Sequence, residues 1–156
     1  MAPKPFAGTF TQQEPLGEAA IAAAIRVLES GRLHRYNTVA GETAEAALFE
    51  AEFAAFQGVD YCLACASGGY AMHIALMAAG LKHGEAVLTN AFTLSPVPGA
   101  IVNAGGKPVL VECTRDLVID LDDLEKKATG ARFLLLSHMR GHIADMDRLM
   151  AIADRH

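Results

Sequence analysis

Two long stretches of this 156-residue chain carry no Asp, Glu, Lys or Arg. They are residues 61–81 and 86–106, and each is 21 residues long. About 20 consecutive apolar residues are enough for a membrane-spanning helix. Here, however, Ser67-Gly68-Gly69 interrupts the first stretch, and Pro96 and Pro98 interrupt the second. Charge-free stretches of this broken kind are typical of parallel strands covered on both faces. We therefore expect a protein without a membrane span.

Short apolar segments alternate with segments of helical periodicity from residue 58 onward. Apolar residues spaced three and four apart predict the helices, and short apolar runs bounded by glycine predict the strands. The predicted helices are residues 15–30, 42–57, 70–79, 95–104, 121–128 and 145–155, and the predicted strands are residues 60–65, 86–89, 107–112 and 132–137. Strands that alternate with helices of this length form βαβ units. The predicted fold class is α/β, with alternating helices and mostly parallel strands, and with a sheet that is incomplete after the last helix.

Charge, cysteine content and the first residues limit the class of protein. Eighteen acidic residues against 13 basic ones give a net charge of −5, so no chain-wide basic field favours nucleic acid as a partner. Three cysteines are too few for a disulfide scaffold, and the odd number fits a reducing compartment. The opening residues, MAPKPFAGTF, contain no apolar segment of a secretory signal. We therefore expect a cytoplasmic protein.

The segment Ala66-Ser67-Gly68-Gly69-Tyr70 lies between a predicted strand and a predicted helix. Two glycines allow the backbone to approach a ligand closely, and the first turn of a helix offers free N–H groups to an anion. The segment is therefore a candidate phosphate site, although a plain tight turn explains the same residues. It matches neither the GxGxxG dinucleotide pattern nor the GK[ST] of a P-loop.

Cysteines, histidines and aspartates are the other side chains of this sequence that could carry chemistry. Cys62 and Cys65 form a CxxC, but both fall inside a predicted apolar strand, which favours core cysteines over a redox pair. His138 and His142 are four residues apart across a strand end and a glycine-bearing loop, so they do not share a helical face, and no metal site is predicted. Asp120 and its acidic neighbours read as a helix cap.

Three further side chains have a position that suggests a role. His138 lies at the carboxyl end of a predicted strand, where open α/β sheets place residues that face ligands. His73 lies on a helix of small apolar residues and is expected to be packed and hydrogen-bonded. Phe92 directly follows a predicted strand, so it belongs either to the core or to an aromatic surface over a flat ligand.

Several stretches together resemble the DegT/StrS-type sugar aminotransferases, which are pyridoxal-phosphate (PLP) enzymes of the aspartate-aminotransferase fold. The resemblance extends from about residue 14 to residue 156, and its pieces follow the order of the family. The stretches are residues 50–61, similar to FExxFAxYxGVxY; 67–76 (SGGYAMHIAL), similar to SGTxALHLAL; 84–88 (GEAVL), similar to GDEVI; 90–94 (NAFTL), similar to PSFTF; 105–112 (GGKPVLVE), similar to GAKPVFVD; and 138–147 (HMRGHIADMD), similar to HLYGxPADMD.

The resemblance implies a cofactor site that includes the candidate phosphate turn. Ser67, Gly68 and Gly69 take the place of the turn whose amides hold the PLP phosphate, with Gly69 where the family usually has Thr. The family's ring-stacking aromatic falls at Leu94, so Phe92 is the candidate substitute. His138 lies near the cofactor end of the sheet. The implied cofactor-binding residues are Ser67, Gly68, Gly69, Phe92 and His138, with no catalytic residue assigned.

The same resemblance implies residues that are not found in this chain. The family has an acidic residue for the pyridine nitrogen and a lysine that forms a Schiff base with the cofactor, and the five lysines here match none of that segment. We therefore expect an N-terminal arm (1–14) and part of a fold type I PLP-transferase large domain (15–156), truncated before both features.

The expected function is that of the longer protein. That protein would transfer an amino group from an amino-acid donor to a nucleotide-linked keto sugar, and would act as a homodimer. The chain alone would be inactive. The alternative is a non-catalytic module for phosphate or cofactor binding, or for dimerisation.

Overall fold

The structure, a computed structural model, describes residues 7–9 and 13–156. Most of the predicted N-terminal arm (1–14) lies outside the described residues. The chain divides into two compact units, residues 1–64 and 65–156. The elements are α1 (Glu18–Ser30), α2 (Glu45–Gln57), α3 (Gly68–Ala78), β1 (Ala86–Asn90), α4 (Pro96–Asn103), β2 (Lys107–Val111), α5 (Leu121–Lys127), β3 (Phe133–Leu134), a 3-10 turn (Met139–Gly141) and α6 (Met146–Arg155).

The first unit contains α1 and α2, as its helical periodicity predicts. Gly31 and Gly58 end these helices in the left-handed conformation, with φ of 66° and 69°, which glycine adopts without steric cost. The apolar side chains at helical spacing are largely exposed within the described part of this unit. Those of α1 are Ile21, Ile25 and Leu28, and those of α2 include Phe49, Phe53 and Phe56.

Glu50 of α2 is a buried charged residue, with 8% of its surface exposed. Both carboxylate oxygens accept hydrogen bonds from the guanidinium of Arg35, at 2.8 and 2.7 Å, and Oε1 also accepts one from the Ala64 amide at 2.9 Å. The Ala64 amide, and then Arg35, lower the pKa of Glu50. One carboxylate thus holds three separate segments of this unit together.

Glu50→Gln tests this contact through its pH dependence. Because the pKa of Glu50 is lowered on folding, its charge stabilises the folded state above the ordinary carboxyl range, and this contribution is lost as pH falls through the lowered pKa. We expect Glu50→Gln to be less stable than wild type at neutral pH, and the difference to shrink from about pH 5 downward. Urea-unfolding midpoints across this pH range measure it. Glu52→Gln, exposed on the same helix, is the control; a pH-independent difference for Glu50→Gln contradicts the assignment.

The second unit contains a three-stranded parallel sheet with strand order β2-β1-β3. Val87 and Leu88 of the central strand pair with Pro108 and Val109 of β2 and with Phe133 and Leu134 of β3. The parallel α/β fold class is therefore confirmed.

Helices cover both faces of this sheet. Val87 and Leu88 are consecutive, so their side chains point to opposite faces. Val87 packs with Leu76, Leu81, Ile101 and Ala104, on the face covered by α3 and α4. Leu88 packs with residues of α5 and α6 on the other face, namely Leu121, Leu124, Leu149 and Ile152.

One predicted strand is wrong and another is much shorter than predicted. Residues 60–65 form no strand, and Tyr61 is 90% exposed. Backbone groups of a strand need a neighbouring strand to bond with, and none among the described residues pairs with this segment. Cys62 and Cys65 are consequently half-buried thiols rather than core residues of a strand. Of the predicted strand 132–137, only Phe133–Leu134 is paired as β3.

The acidic cluster before α5 caps this helix, as predicted. Asp120 accepts hydrogen bonds from the amides of Asp122 and Asp123, at 2.9 and 3.1 Å. Asp123 in turn accepts one from the Glu112 amide at 2.8 Å and pairs with Lys127 at 2.7 Å. The Glu112 amide and then Lys127 lower the pKa of Asp123. These contacts attach the first turn of α5 to the end of β2.

The described residues include neither a candidate membrane helix nor a candidate metal cluster. None of the helices in the described part of the chain has both the length and the apolar character needed to cross a membrane. Within residues 7–9 and 13–156, no three side chains of His, Cys, Asp or Glu come together in a way that could hold a metal ion.

Candidate functional site

The glycine-containing turn forms the first turn of α3, which begins two residues earlier than predicted. Ser67 is the N-cap residue: its Oγ accepts a hydrogen bond from the Tyr70 amide at 3.2 Å, and its carbonyl accepts one from Ala71 at 2.9 Å. The amides of Gly68 and Gly69 have no acceptor among the described residues. Because free N–H groups at a helix N-terminus carry partial positive charge, this turn can bind an anion such as a phosphate.

Neither glycine of the turn is required by steric crowding. A Cβ on Gly68 would meet no atom within 4 Å. A Cβ on Gly69 would lie 3.6 Å from Pro96 Cβ and 3.9 Å from Ser67 Oγ, which is ordinary van der Waals contact. Neither residue has a positive φ. A side chain at position 69 is therefore compatible with this backbone.

A cavity of about 400 Å³ lies beside this turn, between α3 and α4. Its lining residues are Ser67, Gly69, Tyr70 and His73 of α3 and its N-cap, and Pro96, Gly99, Ala100 and Asn103 of α4. His73 is packed, as predicted, with its ring stacked on Tyr70 at a centroid distance of 5.8 Å. The predicted hydrogen bond is not found at Nδ1, which is buried without a partner among the described residues.

Phe92 lies two residues beyond β1, at the carboxyl edge of the parallel sheet. Its amide donates to Cys113 Sγ at 3.1 Å, and its carbonyl accepts a hydrogen bond from Asn90 Nδ2 at 2.7 Å. The residue is half-buried. The backbone of Phe92 is thus bonded to the side chain of Asn90, which ends β1, and to that of Cys113, which follows β2.

Asn90 is a residue that sequence reasoning missed. It ends β1, its surface is fully buried, and its side chain bonds to both backbone groups of Ser137. Oδ1 accepts from the Ser137 amide at 2.9 Å, and Nδ2 donates to the Ser137 carbonyl at 3.1 Å. The available signal was a single carboxamide at the end of a short charge-free strand, since a buried carboxamide must find hydrogen-bond partners.

His138 directly follows Ser137 and precedes the 3-10 turn. Its side chain is exposed, and its carbonyl accepts a hydrogen bond from the Gly141 amide at 3.1 Å. Within this turn, Arg140 has a left-handed backbone with φ of 56°, which is uncommon for a non-glycine residue. The structure therefore joins the segments of Phe92 and His138 through Asn90. It gives no side-chain contact between His138 and the other predicted cofactor residues.

Known proteins match the chain over nearly its whole length. The sequence profile of the DegT/DnrJ/EryC1/StrS aminotransferase family matches residues 15–156. A dTDP-3-amino-3,4,6-trideoxy-alpha-D-glucose transaminase of Streptomyces venezuelae is 37% identical over 154 residues, which cover 97% of this chain and 39% of the relative. The chain spans between 29% and 39% of the length of the curated relatives that it matches.

Solved structures of similar proteins share the fold. The crystal structure of 3-amino-5-hydroxybenzoic acid synthase matches with a TM-score of 0.82 and 28% identity, covering 96% of this chain and 38% of that one. The structure of ntda from Bacillus subtilis with bound cofactor PMP matches with a TM-score of 0.75 and 28% identity, covering 88% and 31%. The chain therefore belongs to the DegT/DnrJ/EryC1/StrS aminotransferase family.

Proposed function

We propose that this chain forms part of a PLP-dependent aminotransferase that transfers an amino group from an amino-acid donor, such as glutamate, to a nucleotide-linked keto sugar. One observation carries the cofactor part of the proposal: the amides of Gly68 and Gly69 at the N-terminus of α3 have no acceptor among the described residues. Because the chain belongs to an aminotransferase family, the phosphate of PLP is the anion that we propose for them. The similarity to a dTDP-sugar transaminase supports the sugar part. In this proposal residues 15–156 belong to the large domain of a homodimeric, cytoplasmic enzyme.

The phosphate of PLP is proposed to bind at the first turn of α3. The free amides of Gly68 and Gly69 would donate to its oxygens, while Ser67 Oγ is already engaged with the Tyr70 amide. A phosphate at this position is also favoured by the helix dipole. When bound, PLP supplies an electron sink for amino-group transfer.

Phe92 and His138 are proposed to lie at the ring end of the cofactor. Both follow strands of a parallel sheet, and ligands of open α/β sheets bind beyond the carboxyl ends of the strands. Leu94, at the position of the family's stacking residue, is 60% exposed and has no aromatic ring. Phe92 would therefore provide the flat apolar surface, and its bonded backbone would hold the ring in place.

No catalytic lysine is proposed among these 156 residues. Lys82 precedes β1 by four residues and Lys107 begins β2, so both lie on the amino side of the strands, opposite to the proposed cofactor edge. The amine of Lys127 is bonded to Asp123 and to the Leu110 carbonyl. We therefore propose that the chain alone binds phosphate or cofactor without transamination, the remaining groups being supplied by a longer protein. Turnover of glutamate by the chain alone would contradict this part.

Gly69→Thr tests the phosphate site by adding a hydroxyl. The space beside Gly69 admits a side chain, and one added hydrogen bond contributes about 1 kcal/mol. The dissociation constant for PLP is therefore expected to fall about fivefold. A PLP titration followed by absorbance, with inorganic phosphate as competitor, measures this change.

Gly69→Val is the matched control, because it adds the same branched shape without a hydroxyl. We expect it to bind PLP no more tightly than wild type. Equal changes in the two variants would assign the effect to the backbone of the helix rather than to a phosphate contact. If neither the wild type nor the variants bind PLP saturably, the proposed phosphate site is wrong.

A further inference from the structure

We propose that Asn90 is a positioning residue, which sets the relative placement of Phe92 and His138 at the carboxyl edge of the sheet. This inference rests on the proposed function, since it concerns the residues assigned to the ring end of the cofactor. It adds a residue that touches neither the proposed cofactor nor the substrate and that acts through the two loops it joins.

The side chain of Asn90 continues the pairing of β1 and β3 where the main chain no longer does so. The last main-chain hydrogen bond between the two segments runs from the Leu135 amide to the Leu88 carbonyl, at 2.8 Å. Two residues further on, the Ser137 amide bonds to Asn90 Oδ1 instead, at 2.9 Å. A carboxamide carries a donor and an acceptor as a peptide group does. It can therefore replace a peptide group as the partner of residue 137.

The same carboxamide also bonds to the loop after β1. Asn90 Nδ2 donates to the Phe92 carbonyl at 2.7 Å as well as to the Ser137 carbonyl at 3.1 Å. On the other side of the residue, the Phe92 amide donates to Cys113 Sγ at 3.1 Å. The backbone of Phe92 is thus bonded to Asn90 at the end of β1 and to Cys113 after β2, and it is linked to Ser137 through Asn90, which fixes the backbone position from which its ring extends.

His138 is placed by the same side chain through its neighbour. Both backbone groups of Ser137 are bonded to Asn90, and residue 138 follows by one peptide bond. Because Asn90 is fully buried, water does not readily replace these hydrogen bonds, so each lost partner leaves a buried polar group unsatisfied. Serving both loops requires a donor and an acceptor at the reach of the carboxamide, which the shorter hydroxyl of serine does not have.

Hydrogen exchange tests the positioning without any cofactor. In Asn90→Leu, which has a similar size and no hydrogen bonds, exchange of the Ser137 amide is expected to accelerate at least about tenfold. The Ile101 amide in α4 should change much less. Asn103→Leu, which alters an exposed asparagine, should leave Ser137 unchanged. Asn90→Ser is a milder second variant in case Asn90→Leu does not fold. Unchanged exchange at Ser137 in a folded Asn90 variant would overturn the proposal.

A double-mutant cycle with PLP tests the link to the site. Phe92→Ala alone is expected to weaken PLP binding about tenfold, and Asn90→Ser alone about three- to tenfold. If Asn90 acts through Phe92, adding Asn90→Ser to Phe92→Ala weakens binding by less than about twofold more, while it still lowers the urea-unfolding midpoint. Fully additive effects on PLP binding would overturn the placement of Phe92 by Asn90, since a purely structural residue would act independently of Phe92.

The two measurements separate this inference from the proposed function. If wild type binds no PLP, the cofactor proposal fails, and with it the role of Asn90 toward a cofactor. The exchange of Ser137 then still decides whether Asn90 joins the two loops. If PLP binds and Asn90→Ser leaves its dissociation constant unchanged, the cofactor proposal stands and the positioning role is overturned.

Discussion

Ile101→Ala is expected to lower the free energy of unfolding by about 2–5 kcal/mol, the range for truncating a buried isoleucine. Ile101 is completely buried and lies on the inner side of α4. It packs against Leu76, Leu81 and Val87, which come from α3, the following loop and β1. Its removal therefore leaves a cavity where both helices meet the sheet, and the surrounding residues cannot fully fill it.

The matched control for Ile101 is Val102→Ala, at the next position of the same helix. Val102 is 59% exposed, and alanine is the better helix former, so its free energy of unfolding should change by less than about 0.5 kcal/mol. Urea unfolding followed by circular dichroism gives both values. Similar losses for the two variants would show that α4 does not pack on the sheet as described.

Gly106→Ala is expected to destabilise the protein by about 1–3 kcal/mol through overpacking. Gly106 precedes β2, and its amide donates to the Ile101 carbonyl at 2.9 Å. A Cβ there would lie 2.9 Å from Leu81 Cδ2, 3.1 Å from Ile101 Cγ2 and 3.3 Å from the Glu85 carbonyl oxygen. Because Leu81 and Ile101 are core residues and the third atom is backbone, none of the three can move away easily.

Gly99→Ala should have the opposite sign. Gly99 lies inside α4, and a Cβ at this position would meet no atom within 4 Å. Alanine is favoured over glycine inside a helix by about 0.5–1 kcal/mol, so thermal unfolding of Gly99→Ala should shift upward while that of Gly106→Ala shifts downward. A loss of stability in both variants would contradict the packing of α4 described above.

The packing of α4 that Ile101→Ala and Gly106→Ala test also affects the candidate site. Ile101 packs α4 against the sheet. The same helix contains Pro96, which lies next to Gly69, and both Pro96 and Gly99 line the cavity beside the phosphate turn. The turn itself rests on interactions close in sequence. Its orientation relative to the sheet depends on the contacts of α3 and α4 with β1.

Local patterns predicted the elements whose causes are local. The helices were predicted from apolar spacing, from Gly31 and Gly58 as stops and from Asp120 as a cap, and each of these features is present. The turn at Ser67 was also predicted, and it leads into α3. Two details differed: residues 60–65 before it form no strand, and the helix begins at Gly68 rather than at Tyr70 because Ser67 caps it.

Features that require a partner distant in sequence were not predictable in the same way. An apolar run such as residues 60–65 has the composition of a strand, yet it becomes one only where another strand offers its backbone groups. Glu50 looked like one more charge on a helix, but Arg35 and the Ala64 amide make it a buried anchor. The sequence pattern shows the position of Glu50 on the helix, but it does not show the hydrogen-bond partners that Glu50 has in the folded structure.

The sequence by itself determined the α/β class, the order of helices and strands from residue 86 onward, the glycine turn and the family resemblance. These features depend on periodicity, capping and motif order, which are properties of residues close together in the sequence. Only the tertiary structure decided which strands pair, and that Asn90 joins the loops of Phe92 and His138. The physical reason is that a buried polar group must be satisfied by whatever the folded chain brings to it. For Asn90, that partner lies 47 residues away along the chain.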